Sequence, residues 1–341
     1  MTPNLPSISR STPASQIAGV LALAALTVLI AAPWWGSRST MHLVGEFATY
    51  VALASLWNLL AGYTGLVSVG QQAFVGLGGY VLFTCAFFVH LNPLFAILIA
   101  GMVAAVFALA VAQLVFRLQG AYFAIGTWVV AEVFRLGFAQ VQVLGGGSGI
   151  SLPVDVVKSI SDSRDGREML VYWVSLALGA GSVGVIYGLL RSRIGLALTA
   201  IRDSEVASSS LGVQITRVKL AVYVLVAGLT GMVGALIFLQ KLRISPDAAF
   251  SVNDWTAFVI FIVVIGGVGT IEGPVIGTLV YFFLREYLAD LGSIYLMILG
   301  GLAIAIMLAA PQGIWGFVRK HLGWSLFPTG YRVRWEDASS S

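Results

Sequence analysis

The chain has 341 residues, of which 58% are hydrophobic and only 10% charged, and its mean hydropathy is +0.93. A soluble domain that apolar cannot cover its core with polar surface, so the composition excludes one and defines an integral membrane protein. The net charge of +4 is spread over loops, which fits a membrane topology signal and not a nucleic-acid surface.

The 39 glycines, with few runs of alternating polarity, point to close-packed helices and not to a barrel. Ten spans of about 20 residues use roughly 200 residues, leaving the rest for loops, tails and one extramembrane helix. The expected fold is therefore all-α and polytopic, with about ten transmembrane helices (eight to ten), some of them broken at glycine. A single membrane domain over 17–318 carries short tails at 1–16 and 319–341. The lone Cys85 lies in an apolar run, excludes an internal disulfide, and reads as a small buried hydrophobe.

In chain order, the first span runs about 17–35, is too long for a signal-peptide core, and closes with Pro33, Trp34 and Trp35, which suit an interfacial belt. Spans follow at about 43–61, 66–89, 93–115 and 119–138. A long polar loop with LGGGSG occupies about 140–168. The sixth span covers about 169–190. A charged island, RSRIGLALTAIRDSEVASSSLGVQITRVK, then fills 191–219. The remaining spans are expected at about 218–239, 254–268, 274–289 and 293–310.

The island between two apolar runs belongs in water on the cytoplasmic side. Gly195 to Leu211 reads as one short helix outside the bilayer, stopped by Gly212. A solvated loop is the plain reading of it. A docking element is the sharper one: small residues such as Ala200 and Ala207 admit a close partner, and Arg202, Asp203 and Glu205 supply directed contacts. No G-x-x-x-x-G-K-[ST] loop occurs, so any ATP hydrolysis, and the ATP and Mg it needs, belongs to a partner. Counting spans outward from this island puts both termini in the cytoplasm. Arg319, Lys320, Arg332 and Arg334 in the tail agree. The loop 140–168 carries Asp155, Asp162, Asp165 and Glu168 against three basic residues, and is neutral evidence.

Two stretches are interrupted by glycine, one in each half: GYTGLVSVG from Gly62 and GGVGTIEG from Gly266. Transporters place discontinuous helices near the substrate path, whereas glycines also simply permit tight packing. Candidate path residues are Ser68, Gln71, Gln72 and Phe74 beside the first break, and Gly269, Thr270 and Glu272 in the second. Ser68 and Gln72, four apart, are expected to share a helix face. Glu132 joins the path candidates, although an ion pair with Arg135, three residues on and near the outer interface, is the favoured account of it. Glu272 is expected to cap the helix that follows it. His42, His90 and His321 are scattered, and no metal or catalytic cluster is expected.

Four segments resemble one known family: NLLAGYTGLVSVGQQAFVGLGGY, LQGAYFAIGTWVVAEVFR, IGLALTAIRDSEVASSSLGVQITRVKLAVYVLVAGLTGMVGAL and IGGVGTIEGPVIGTLVY. They are similar, in order from about 43 to 318, to the LivM-type permease subunits of ABC importers for branched-chain amino acids. The resemblance implies a multi-pass subunit of a bacterial inner membrane that carries no catalytic site or cofactor of its own. It implies four kinds of partner: membrane lipid, a homologous second permease, two cytoplasmic ATPases and a periplasmic binding protein. Segment 195–212 matches the family's cytoplasmic loop, with Ala200, Ile201, Arg202, Glu205, Ala207 and Gly212 in place. Leu196 stands where arginine is usual, and Leu144 where the outer loop usually has threonine. Urea and amide permeases share the framework and form the alternative substrate class. A stand-alone secondary transporter is the alternative from another class.

Overall fold

A computed structural model describes residues 7–9, 13–161, 163–288, 291–322, 326–328 and 332–334. Asp162 and most of the two tails, which entered the charge and topology argument, lie outside them. The helices are α1 (Pro13–Ala31), α2 (Arg38–Asn58), α3 (Gln71–Phe88), α4 (Pro93–Val115), α5 (Ala121–Ala139), α6 (Val154–Lys158) and α7 (Arg164–Arg191). They continue with α8 (Arg193–Asp203), α9 (Glu205–Ser210), α10 (Ile215–Lys241), α11 (Pro246–Ala249), α12 (Phe258–Gly266), α13 (Glu272–Leu288), α14 (Ser293–Ala309) and α15 (Gly313–Leu322). Strand β1 (Ser7–Ser9) pairs antiparallel with β4 (Arg332–Arg334), and β2 (Ile150–Ser151) with β3 (Arg243–Ile244).

Among the described residues, nine helical stretches are long and apolar enough to cross a membrane. The remaining expected span is α13, at 17 residues. The protein is therefore an all-α, polytopic membrane protein, as its composition demands. Several starts follow from side chains that satisfy the free amides of a first turn. Ser37 accepts from Thr40 N at 3.2 Å, Ser163 from Gly166 N at 3.0 Å, and Asn92 from Leu94 N at 2.9 Å just ahead of Pro93.

Helices α3 and α10 form the centre, packed on each other and on α4. Small residues make this possible. A methyl on Gly78 would stand 2.0 Å from Gly231 O, and one on Gly234 would stand 2.2 Å from Val75 O, so the two backbones touch directly. Around them lie α2, α7, α12 and α13. Helix α1 and the last apolar stretch sit outermost: 11% and 6% of their span residues are buried, against 78% for α10. Apolar faces this bare suit lipid or a neighbouring subunit.

Within the spans, Arg285 of α13 donates from both terminal nitrogens to the two oxygens of Glu46 on α2, at 2.7 Å each, and lies 4.4 Å from the Phe282 ring. Such a pair is tolerated inside a membrane because each charge answers the other. Removing one partner leaves an uncompensated charge, which costs more than removing both. Glu46→Leu or Arg285→Leu alone is expected to destabilise the purified protein by about 2 kcal/mol or more, and the double leucine variant by less. Thermal midpoints of the three variants in detergent decide this; a double variant weaker than both singles would contradict it.

Candidate functional site

Helix α2 does not end cleanly. It loosens into a wide π turn over Leu59–Thr64, and Gly65 stops it at φ +73°. The chain then runs without regular structure to Gly70 and re-enters helix only at Gln71. The expected span 66–89 is thus helical from Gln71 onward, and Ser68 lies in the irregular lead. Its expected shared helical face with Gln72 does not form. In the second half, α12 stops at Gly266, and Gly267 (φ +131°) and Gly269 (φ +74°) carry a short irregular turn into α13.

These two breaks touch. A methyl on Gly62 would lie 2.5 Å from Gly269 N and 2.7 Å from its Cα. One residue ties them together. Asn58 accepts from Gly269 N and donates to Thr270 O, at 2.7 Å each. Thr270 Oγ1 donates to Gly267 O at 2.8 Å and accepts from Gly273 N at 3.1 Å. The cap on α13 is therefore Thr270 and not Glu272 as expected. Glu272 instead accepts from Phe327 N at 2.9 Å, holding a piece of the carboxy-terminal segment. In a membrane, unpaired backbone at a broken helix must be answered by protein groups, and Asn58 and Thr270 do that here.

The charged island lies directly beside this junction, as two helices and not the single one expected. Ser204 adopts extended φ and ψ (−163°, 114°), ends α8, and caps α9 by accepting from Ala207 N at 3.2 Å. A serine that competes for backbone hydrogen bonds is a natural place for such a break. Leu198 and Ile201 are fully buried and anchor α8, so Ile201 faces the chain's own core. Arg202 leans across the junction: its Nη1 lies 3.6 Å from the point where a Gly269 methyl would sit. It also stands 3.7 Å from Asp203. Glu205 pairs with Lys219 of α10 at 2.5 Å. Gly212, at φ +83°, ends α9 as expected: its amide returns to Ser209 O, and that of Val213 to Ser208 O. Asp203, Ala207 and Gly212 are exposed, Ala200 is half-buried, and Val206 (78% exposed) and Leu211 (81%) add bare apolar surface.

The path candidates fall into four places. Ser68, Gln71 and Phe74 line one cavity with Trp57, Tyr223 and Thr230, of only about 10 Å³. Its polar edge is built from Trp57 Nε1 donating to Ser68 O at 2.7 Å and Gln71 Nε2 donating to Leu53 O at 3.0 Å, while Gln71 Oε1 has no partner among the described residues. Gln72 points elsewhere and accepts from Thr256 Oγ1. Gly269, Thr270 and Glu272 belong to the junction. Glu132 stands apart on α5, bound to Arg135 as the spacing allowed, and Arg135 also bonds Asp247 at 2.6 Å. Sequence reasoning missed two residues. Asn58 announced itself only as an amide in an apolar run just before a glycine break. Asp247 lay in a loop with no spacing to connect it to Arg135.

Buried apolar helices, two broken helices clasped by Asn58, and an exposed helical pair against that clasp define a multi-pass protein with an irregular, internally satisfied centre. The chain belongs to the family of branched-chain amino acid transport system permease components, whose family model matches residues 39–310. It is similar to the high-affinity branched-chain amino acid transport system permease protein LivM of Salmonella typhimurium and to that of Escherichia coli, at 29% identity in each case over 93% of this chain and 79% of theirs. A probable branched-chain amino acid transport permease protein LivM of Methanocaldococcus jannaschii is 25% identical over 50% of this chain and 49% of its own. No solved structure matches.

Proposed function

We propose that this chain is the membrane permease subunit of an ATP-driven importer for branched-chain amino acids in a bacterial inner membrane. Its partners are a homologous second permease, two cytoplasmic ATPases that hold the nucleotide and metal, and a periplasmic binding protein. The end bearing α8 and α9 faces the cytoplasm, as do both tails. The ATPases dock on Arg202, Asp203, Glu205, Ala207 and the bare Val206 and Leu211, and their closure moves α8. The observation that carries this reading is the contact of Arg202 with the Gly62–Gly269 junction. A push on α8 is delivered straight to the two broken helices, and through α3 to the Gln71 cavity. Alternating access then consists of opening that closed centre and the faces it controls.

Charge reversal at Glu205 tests the docking role. In vesicles holding the full complex, Glu205→Arg is expected to leave ATP hydrolysis running while uptake falls about tenfold or more. The internal pair with Lys219 supplies the control, since Glu205→Arg with Lys219→Glu restores that bond but not the outward charge. Uptake that returns to normal in the double variant assigns Glu205 to holding α9 on α10 and removes it from docking.

A further inference from the structure

Arg135 and Arg285 are both paired arginines on apolar helices, but they are held differently. Both terminal nitrogens of Arg285 are taken by one carboxylate, and a ring covers its face. Arg135 spends Nε and Nη2 on Glu132, at 2.9 and 2.5 Å. Its remaining nitrogen, Nη1, reaches across to Asp247 on the four-residue helix α11 at 2.6 Å. The Asp247 side chain is 80% exposed, and among the described residues this bond is its only side-chain tie. Two carboxylates therefore share one guanidinium, a locally negative arrangement in which the second carboxylate is replaceable.

The surroundings suit a ligand better than a buried structural pair. Helix α5 is only 17% buried along its span and presents Trp128, Val129, Val133 and Leu136 beside Glu132 and Arg135. Charges on such a face are costly in lipid and belong to a wet surface between subunits. Under α11, Phe250 stacks with Phe134, Phe138 and Tyr80. The Tyr80 hydroxyl is fully buried there with no hydrogen-bond partner among the described residues. An unsatisfied buried donor is costly, and it marks a place where an acceptor is wanted.

We infer that Arg135 is a carboxylate-recognition site whose resting occupant is Asp247, and that the α-carboxylate of an amino acid takes that occupant's place. This rests on the importer reading, and names the group on the substrate that the permease itself reads. The planar guanidinium offers a carboxylate a directed, charge-assisted bond, which lysine would not reproduce. Glu132 positions the fork through its bonds to Nε and Nη2. Once Asp247 is displaced, the Glu132 carboxylate stays beside the site to face the α-ammonium, so a zwitterion is matched at both ends. Displacement also frees α11 from α5.

Ligand-observed saturation-transfer NMR tests this on the chain co-purified with its partner permease in nanodiscs, with leucine and leucinamide as probes. Leucine is expected to bind, and leucinamide, which lacks the carboxylate, about tenfold more weakly or worse. Arg135→Gln should erase the difference between the two by weakening leucine. Asp247→Asn should act in the opposite sense and strengthen leucine binding several-fold, because a competitor has been neutralised. A merely structural pair predicts both variants to weaken binding alike, or to do nothing, and either result overturns the proposal. Asp247 is exposed on a surface turn, so its variant folds and decides the matter even where Arg135→Gln does not. Uptake of labelled leucine by the wild-type complex separates the two readings. Absent uptake with intact binding counts against the importer; intact uptake with leucine and leucinamide bound equally counts against the Arg135 site.

Discussion

Asn58→Ala is expected to abolish uptake while the chain still inserts, and to lower stability by about 2 to 5 kcal/mol. The substitution removes both bonds that hold the second glycine break against the first. It leaves Gly269 N and Thr270 O without partners, in a region with little water to replace them. It also opens a void beside Leu59 and Gly62. Asn58→Asp separates the two bonds, because it keeps an acceptor for Gly269 N but no donor for Thr270 O. Its uptake should lie nearer to alanine than to wild type, since the retained bond comes with a buried charge. Transport rates and thermal midpoints on the same preparations check this. An alanine variant that transports normally would show that the clasp carries no motion.

Gly234→Val should have an equally large effect by a different route. The space for its side chain is already filled by Val75 O, 2.2 Å from the first added carbon. Helices α3 and α10 would have to part, and with them the packing of α4. Overpacking of a tight core costs about 1 to 3 kcal/mol per site, and backbone against backbone leaves no flexible atom to yield, so the upper end or beyond is expected. Gly184→Ala on α7 is the control, because nothing lies within 4 Å of the added methyl. It is expected to be neutral or slightly stabilising, since alanine is the better helix former. Detergent-extracted monomer yield and thermal midpoint for the pair decide it. Equal losses in both would mean that glycine at these places serves flexibility and not close approach.

Much of this architecture was legible before any coordinates. Long apolar runs bounded by Trp34, Trp35, Asn92 and Pro93 located the spans, because hydrocarbon leaves a chain few options other than helix. The Glu132–Arg135 pair and the stop at Gly212 also followed from local rules, helix spacing in one case and left-handed glycine in the other. What escaped was non-local. Nothing in NLLAGYTG says that Asn58 reaches Gly269, 211 positions away. The same holds for Asp247, which meets Arg135 only because α11 packs on α5. The break at Ser204 was missed for a third reason: serine sits in helices and at their caps alike, and only the extended backbone at that residue tells which. The candidate path was legible as two breaks with Glu132 apart, yet Gln72 could not be separated from Gln71, since residue type does not say which way a glutamine turns.

The cavity beside Gln71, about 10 Å³, has room for at most a single water molecule. A continuous file of waters through this interior would let protons hop across the bilayer, and each one would dissipate about 2.3 kcal/mol per 100 mV of membrane potential. Beside Gln71 there is no space for such a file, so a proton finds no water wire at that point.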